Sequence, residues 1–140
     1  MAESHHASRN ARLEEVRALA AFMVSRCEAA GLSADMIAEL ELALVEAANN
    51  IVIHGYEGRE DGDIGLTVRI DAERVELELT DRGLPVAADA LQPRPVAPDA
   101  ESGRGMAIIH ACVDHVGHYR ANGINHLVLI KRINPSADGG

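Results

Sequence analysis

Residues 46–56 read Glu-Ala-Ala-Asn-Asn-Ile-Val-Ile-His-Gly-Tyr and combine three regularly spaced polar side chains with an otherwise apolar run. Glu46, Asn50 and His54 are four residues apart, so on a helix they project from adjoining parts of one face. Unpaired polar groups in apolar surroundings are costly. A carboxylate can act as a general base, an amide oxygen can bind Mg²⁺, and an imidazole can contact a phosphate. These residues alone leave open a second interpretation, an ordinary polar helix face turned to solvent.

Helical spacing of apolar residues extends on the N-terminal side of this stretch. Apolar residues recur at intervals of three and four over residues 8–30, which predicts a first helix. Gly31 is suited to end that helix, and Ser33 is suited to cap a second helix that runs to about residue 53.

The periodicity changes to two after a loop rich in Gly and Asp. Alternation predicts two strand pairs, over residues 64–70 and 75–80 and, across an Asn-Gly turn, over residues 113–120 and 126–133. Residues 103–114, between the pairs, predict a third helix. This order predicts an α+β fold, with one antiparallel or mixed sheet covered by helices on one face.

Length and charge restrict the class of protein. The chain has 140 residues, the size of one domain, so we expect a single domain over residues 1–140. Asp and Glu outnumber Lys and Arg by 22 to 13, which gives a net charge of −9. Proteins that follow a nucleic-acid backbone normally carry the opposite sign, and Phe22, Tyr56 and Tyr119 alone provide no base-stacking platform. Direct nucleic-acid binding is not expected.

Cysteine spacing and hydropathy indicate the compartment. Cys27 and Cys112 have the spacing of neither a zinc site nor a disulfide framework. The first residues are polar and lack the apolar run of a signal peptide, and no apolar stretch approaches the ~18 residues that a membrane span needs. We therefore expect a cytoplasmic protein with no membrane association.

Two glycine-containing motifs follow the polar helix. Residues 80–85, Thr-Asp-Arg-Gly-Leu-Pro, lie where a strand ends, an arrangement found both in ligand sites and in ordinary turns. Residues 102–106, Ser-Gly-Arg-Gly-Met, precede a helix, where exposed backbone N–H groups favour an anion. The second motif is neither a P-loop nor a dinucleotide fingerprint. Alone, it is equally typical of a flexible helix start.

The three motifs come in a fixed order along the chain: the Glu-x₃-Asn-x₃-His helix, the Asp-x-Gly-x-Pro loop and the Gly-x-Gly helix start. Together they resemble the motifs of the histidine-kinase-like (GHKL) ATPase superfamily. Within it, residues 46–56 look like those of the bacterial anti-sigma-factor serine kinases of the sporulation and general-stress pathways. The resemblance covers residues 8–133. It implies a Bergerat-type ATP-binding sandwich in which a mobile lid, here residues 86–102, closes over the nucleotide.

The resemblance also implies roles for individual residues. Glu46 falls at the position of the general base, Asn50 at that of the Mg²⁺ ligand, and His54 at a phosphate-proximal position. Asp81 matches the carboxylate that accepts a hydrogen bond from the adenine amino group, and Gly83 matches the glycine that lets adenine lie close.

The phosphate loop and the last hairpin complete the carried-over site. The phosphate loop falls on Gly103, Arg104, Gly105 and Met106, with Arg104 placed to meet the γ-phosphate. Family members often have Gly-Thr before the last strand, and the Thr helps to hold adenine through water. Here residues 123–126 read Gly-Ile-Asn-His, so Asn125 is expected to replace the Thr with its amide, and nucleotide affinity is the property that this departure affects.

A metal site built from histidines is not expected. His110, His115 and His118 are close in sequence, but the first falls on the third predicted helix and the others fall on or before a strand. The only metal that the resemblance implies is Mg²⁺ bound with ATP.

The resemblance implies an ATP- and Mg²⁺-dependent protein serine/threonine kinase that is also an anti-sigma factor. Such a protein sequesters a sigma factor, phosphorylates a STAS-type anti-anti-sigma antagonist and pairs as a homodimer. The alternative is a nucleotide-gated anti-sigma binding protein that has lost phosphoryl transfer. The retained Glu46 favours the kinase. A detached histidine-kinase catalytic domain has less support, because a Glu-based serine site needs no phosphohistidine partner domain.

Overall fold

The computed structural model describes residues 3–57, 62–85 and 104–133. Its five strands are β1 (Glu3–Asn10), β2 (Asp63–Ile70), β3 (Arg74–Asp81), β4 (His115–Ala121) and β5 (Ile124–Arg132). Its helices are α1 (Leu13–Ala29), α2 (Ala34–Asn50) and α3 (Arg104–Cys112), and a π-helical turn (Ile51–Gly55) continues α2. The predicted lid, residues 86–102, lies outside the described residues.

The strands form one sheet in the order β1-β2-β3-β5-β4, and every neighbouring pair is antiparallel. On β3, Val75, Leu77 and Leu79 are fully buried, whereas Glu76 and Glu78 are partly exposed on the opposite face. The buried side chains pack with those of the helices in one hydrophobic core. The predicted α+β fold, with helices on one face of the sheet, is confirmed.

The N-terminal boundary of the first helix was predicted wrongly. Residues 8–10 belong to β1, where Ser8 pairs with Gly65 and Asn10 pairs with Asp63, and α1 begins only at Leu13. β1 is an edge strand whose residues are mostly exposed, so backbone pairing rather than a strong hydrophobic alternation determines its conformation. The sequence therefore gave too little signal for this strand.

The connection between α1 and α2 follows the prediction. Gly31 has a φ of +82°, the left-handed conformation that ends a helix, and the backbone N–H of Leu32 returns to the carbonyl of Cys27 over 3.1 Å. The Ser33 side chain then accepts a hydrogen bond from the backbone N–H of Met36 over 3.2 Å. This short link sets α2 against α1 and the sheet.

The last hairpin also follows the prediction. Asn122 and Gly123 both have positive φ, 55° and 77°, which is the two-residue turn that matches the twist of paired strands. Within the described ranges, none of the helices is long and apolar enough to cross a membrane.

Candidate functional site

The start of α3 lies against the polar face of α2. A β-carbon placed on Gly105 would lie 3.1 Å from Oε1 of Glu46 and 3.5 Å from Nδ2 of Asn50. Both side chains are partly buried. The predicted general base, the predicted Mg²⁺ ligand and one glycine of the phosphate loop are therefore neighbours, at a helix N-terminus whose dipole favours an anion.

The π-helical turn at the end of α2 meets the loop that follows β3. The backbone N–H of Leu84 donates to the carbonyl oxygen of Gly55 over 2.8 Å. A β-carbon on Gly83 would lie 2.5 Å from that same oxygen, so only glycine fits at position 83 without displacing the turn. A π-helical turn inside a helix is often found at a functional site.

Tyr56 ties the same two segments from the other side. Its ring is buried, and its hydroxyl donates to the carbonyl oxygen of Asp63 over 2.7 Å and accepts from the backbone N–H of Arg82 over 2.8 Å. Burial raises the pKa of the Tyr56 phenol, so this hydroxyl stays protonated and keeps its donor role. The position of the loop after β3 thus depends on the side chain of the residue that follows the π-helical turn.

Asp81, at the end of β3, is a buried carboxylate that is only 6% exposed. Its Oδ1 accepts hydrogen bonds from the backbone N–H of Gly83 over 2.8 Å and from Nδ2 of Asn125 over 3.0 Å. Asn125, which is 2% exposed, accepts in turn from Nη1 of Arg120 over 2.8 Å. A buried carboxylate that is held in place by hydrogen-bond donors is suited to bind a polar group of a ligand.

The remaining predicted residues are placed less completely. His54 lies in the π-helical turn, and its side chain is exposed. A π-helical turn forms hydrogen bonds between residues five apart, so the four-residue spacing that placed His54 on the same face as Asn50 does not apply within it. Met106 is buried in α3, and Arg104 is the first residue of that helix. Gly103 lies outside the described residues.

Sequence reasoning missed the structural roles of Tyr56, Gly55 and Arg120. Two signals marked Tyr56 in the sequence: it is one of three aromatic residues in the chain, and it directly follows Gly55. No local pattern marks Arg120. Its contact depends on the strand register, which pairs it with Asn125.

The described histidines do not form a metal-binding cluster. Among the described residues, no group of three or more His, Cys, Asp or Glu side chains is arranged to hold a metal ion. Asn50 is not of these types. Its amide oxygen, beside Gly105, fits an ion that takes few protein ligands and several oxygens from a phosphate chain, as Mg²⁺ does.

This arrangement defines a class of protein, an α+β domain with a two-part site. At one end of the site, a carboxylate and an amide lie beside a helix start that favours an anion. At the other end, a buried carboxylate lies beside two close-packed glycines. The family model of the histidine kinase-like ATPase domain matches residues 9–131. The chain belongs to this family, which is a family of ATP-binding domains.

Curated relatives of this chain are named as a serine-protein kinase and as an anti-sigma factor. The chain is 33% identical over 113 residues to the serine-protein kinase RsbW of Listeria innocua, covering 75% of this chain and 71% of the relative. It is 32% identical over 106 residues to the anti-sigma F factor of Clostridium beijerinckii, covering 71% and 73% of the two chains. The predicted resemblance to anti-sigma-factor serine kinases is thereby confirmed.

Solved structures agree on the fold. The structure of the RsbU and RsbW domains of Rv1364c from Mycobacterium tuberculosis superposes with a TM-score of 0.64 at 20% identity, covering 94% of this chain and 32% of that one. The catalytic domain of the histidine kinase ThkA superposes with a TM-score of 0.59 at 12% identity, covering 94% and 98% of the two chains.

Proposed function

We propose that this protein is an ATP-dependent protein serine kinase and anti-sigma factor, which sequesters a sigma factor and phosphorylates a STAS-type anti-anti-sigma protein. The observation that carries the proposal is the contact of Gly105 with Glu46 and Asn50, because it brings a base, an amide oxygen and a helix N-terminus to one point. Relatives named as a serine-protein kinase and an anti-sigma factor support both activities.

The base of the nucleotide binds at the end of the site that contains Asp81. Adenine carries an amino group that donates a hydrogen bond, and a carboxylate offers only acceptors. Gly83 and Gly55 keep the approach to this carboxylate free of side chains, since a β-carbon on Gly55 would lie 3.7 Å and one on Gly83 would lie 3.1 Å from Oδ1 of Asp81. This end of the site determines which base is accepted.

The phosphates bind at the end of the site where Asn50 lies. Asn50 is the last residue of α2 and Gly55 ends the π-helical turn, so one continuous helix connects the two ends. The start of α3, with Arg104, Gly105 and Met106, supplies backbone N–H groups to the phosphate chain, and Gly103, which precedes it in the sequence, belongs to the same proposed phosphate loop. His54 lies in the π-helical turn between Asn50 and Gly55 and is exposed, and its proposed phosphate-proximal role comes from the resemblance.

Asn50 provides a protein ligand for Mg²⁺, and the bound ion would neutralise charge on the phosphate oxygens. Glu46 lies beside the same glycine and takes the proton of the attacking serine hydroxyl. These residues position the groups and hold charge, which is most of what catalysis of phosphoryl transfer requires. Glu46 is the only residue to which we assign a proton transfer, as general base.

The names of the relatives, a serine-protein kinase and an anti-sigma factor, support the proposed partners, and the homodimer is part of the same proposal. A sigma factor and a STAS-domain protein are the macromolecules expected to bind, and the protein is expected to work in the cytoplasm as a homodimer. Symmetric pairing is the commonest form of oligomer and hides apolar surface from water. Sedimentation of the full chain should give about twice the mass of 14.9 kDa, and a concentration-independent mass near that value would contradict the dimer.

The decisive experiment is transfer of labelled phosphate. The full chain is incubated with γ-labelled ATP, Mg²⁺ and each STAS-domain protein encoded beside its gene, and the control is the same STAS protein with its acceptor serine replaced by Ala. We expect label on one STAS protein and none on its Ser→Ala control. If no STAS protein is labelled although the chain binds ATP and a sigma factor, the nucleotide-gated binding protein becomes the better account.

A further inference from the structure

We infer that Arg120, acting through Asn125, fixes the orientation of Asp81 and thereby makes the site select a 6-aminopurine over a 6-oxopurine. Arg120 is then a specificity-determining positioning residue that does not itself touch the nucleotide. The inference rests on the proposed function, because it concerns the end of the site that binds the base. It is carried by the contacts of three side chains from three neighbouring strands.

The strand register places these three residues in one row. Asn125 on β5 pairs with Asp81 on β3 and, on its other side, with Arg120 on β4. Asp81 and Asn125 are the buried polar residues among those that the structure describes. The hydrogen bond between Asn125 and Asp81 is therefore made away from water, where losing a partner is costly, whereas Arg120 is exposed and its bond to Asn125 is part-buried.

Arg120 is the group that holds the oxygen side of the Asn125 amide. Nη1 of Arg120 donates to Oδ1 of Asn125 over 2.8 Å and to the carbonyl oxygen of Gly83 over 3.2 Å. A guanidinium has donors only, so it stabilises the amide oxygen and repels the amide NH₂ group. The reverse orientation would set an NH₂ against the guanidinium and an oxygen against the Asp81 carboxylate. Arg120 beside the amide oxygen, and the oxygens of Asp81, Gly83 and Leu84 around the NH₂ group, together exclude the reversed amide.

With the amide fixed in this way, its NH₂ group fixes the Asp81 carboxylate. Nδ2 of Asn125 donates to Oδ1 of Asp81 over 3.0 Å and lies 3.0 Å from the carbonyl oxygen of Leu84. The backbone N–H of Gly83 donates to the same Oδ1 over 2.8 Å. Two donors occupy Oδ1 and hold the plane of the carboxylate, so Oδ2 is the acceptor that can serve a ligand.

A carboxylate held in one orientation discriminates between purines. A 6-amino group donates to it, whereas a 6-oxo group is an acceptor and faces a second acceptor. A site built to hydrogen-bond one group rejects the analogue that lacks it, because its own polar atoms are then left unpaired. If the carboxylate can rotate, ATP loses part of this bond, whereas ITP has no 6-amino donor and loses no bond at this position.

The test compares the affinities of the full chain for ATP and for ITP, which has a 6-oxo group and a hydrogen on N1 where ATP has a 6-amino group and an unprotonated N1. Calorimetry should show that Arg120→Met weakens ATP binding roughly tenfold, the equivalent of one charge-assisted hydrogen bond, and leaves ITP binding unchanged. Arg120→Lys keeps a donor and should recover most of the ATP preference. Arg132→Met, an exposed arginine on the neighbouring strand, is the matched control and should bind both nucleotides as wild type does.

Asn125→Ala gives an independent second variant. It removes the donor to Asp81 without adding a second buried carboxylate, so the same selective loss of ATP affinity is expected even if Arg120→Met does not fold. Equal weakening of ATP and ITP, or an unchanged ATP-to-ITP ratio in both variants, would overturn the inference while leaving the proposed function in place. A wild-type protein that binds neither nucleotide would overturn both.

Discussion

Gly55 and Leu84 are joined by a backbone hydrogen bond of 2.8 Å, although they are 29 positions apart (84 minus 55). The first residue ends the π-helical turn that continues α2, and the second belongs to the loop that follows β3. This bond connects two motifs that are separate in the sequence, and it places the buried Asp81 at a fixed distance from the helix that carries Glu46 and Asn50.

Gly83→Ala should break this connection. Its new β-carbon would lie 2.5 Å from the carbonyl oxygen of Gly55, a backbone atom that can move only if the π-helical turn moves. We expect the free energy of unfolding to fall by about 1–3 kcal/mol, the usual cost of an overpacked site, in denaturant titration. Gly117→Ala is the control, because its nearest neighbour would lie at an ordinary 3.5 Å. Equal stability of the two variants would contradict the contact.

Tyr56→Phe removes the hydroxyl that bridges Asp63 and Arg82. The backbone groups at both ends lose a partner in a part-buried setting, so we expect destabilisation by about 1–3 kcal/mol. Chemical denaturation measures it. The matched control is Tyr119→Phe, whose ring is 51% exposed and whose hydroxyl lies 3.5 Å from a carboxylate oxygen of Glu78, so its loss should change little. A Tyr56→Phe protein as stable as the control would show that the bridge contributes nothing.

The thiol of Cys27 makes stability depend on alkaline pH. Burial raises its pKa from 9.0 to about 11, so the folded state keeps the thiol protonated where the unfolded chain already ionises. The unfolded state gains by this ionisation, and stability is therefore lost as the pH rises from about 9 towards 11. Between pH 8 and pH 10, wild type should lose more unfolding free energy than Cys27→Ala, and parallel losses would contradict the assignment.

Asp81→Asn should prevent tight ATP binding and leave the fold intact. The side chain keeps its shape and one acceptor, but it presents an NH₂ group where adenine offers a donor. The loss should be ~1–3 kcal/mol of binding free energy, measured by calorimetry, with circular dichroism as the check on folding. Wild-type affinity in this variant would remove Asp81 from the nucleotide site.

Local patterns were sufficient for much of this molecule. Four-residue spacing placed Glu46 and Asn50 on one helix face, and the Asn-Gly pair at residues 122–123 predicted the last hairpin. The edge strand β1 was missed because its mostly exposed residues give little alternation. Arg120 was missed for a different reason: its contact with Asn125 arises from pairing between strands, which no local pattern records.

The general-base role of Glu46 is the central claim, and Glu46→Gln tests it most directly. The amide keeps the size and hydrogen-bonding capacity of the side chain beside Gly105 but cannot take a proton, so Mg·ATP should bind with near-normal affinity. Asn50→Ala is the contrast, because it removes the Mg²⁺ ligand and should weaken both metal-dependent nucleotide binding and sigma-factor binding.

The measurement is the initial rate of phosphoserine formation on the STAS-domain partner at saturating Mg·ATP, for wild type and Glu46→Gln side by side. The proposed mechanism predicts that the variant binds nucleotide and sigma factor as wild type does, while its rate of transfer falls by ~10²–10⁴, the usual contribution of a positioned base. A Glu46→Gln protein that phosphorylates the partner at the wild-type rate would contradict it.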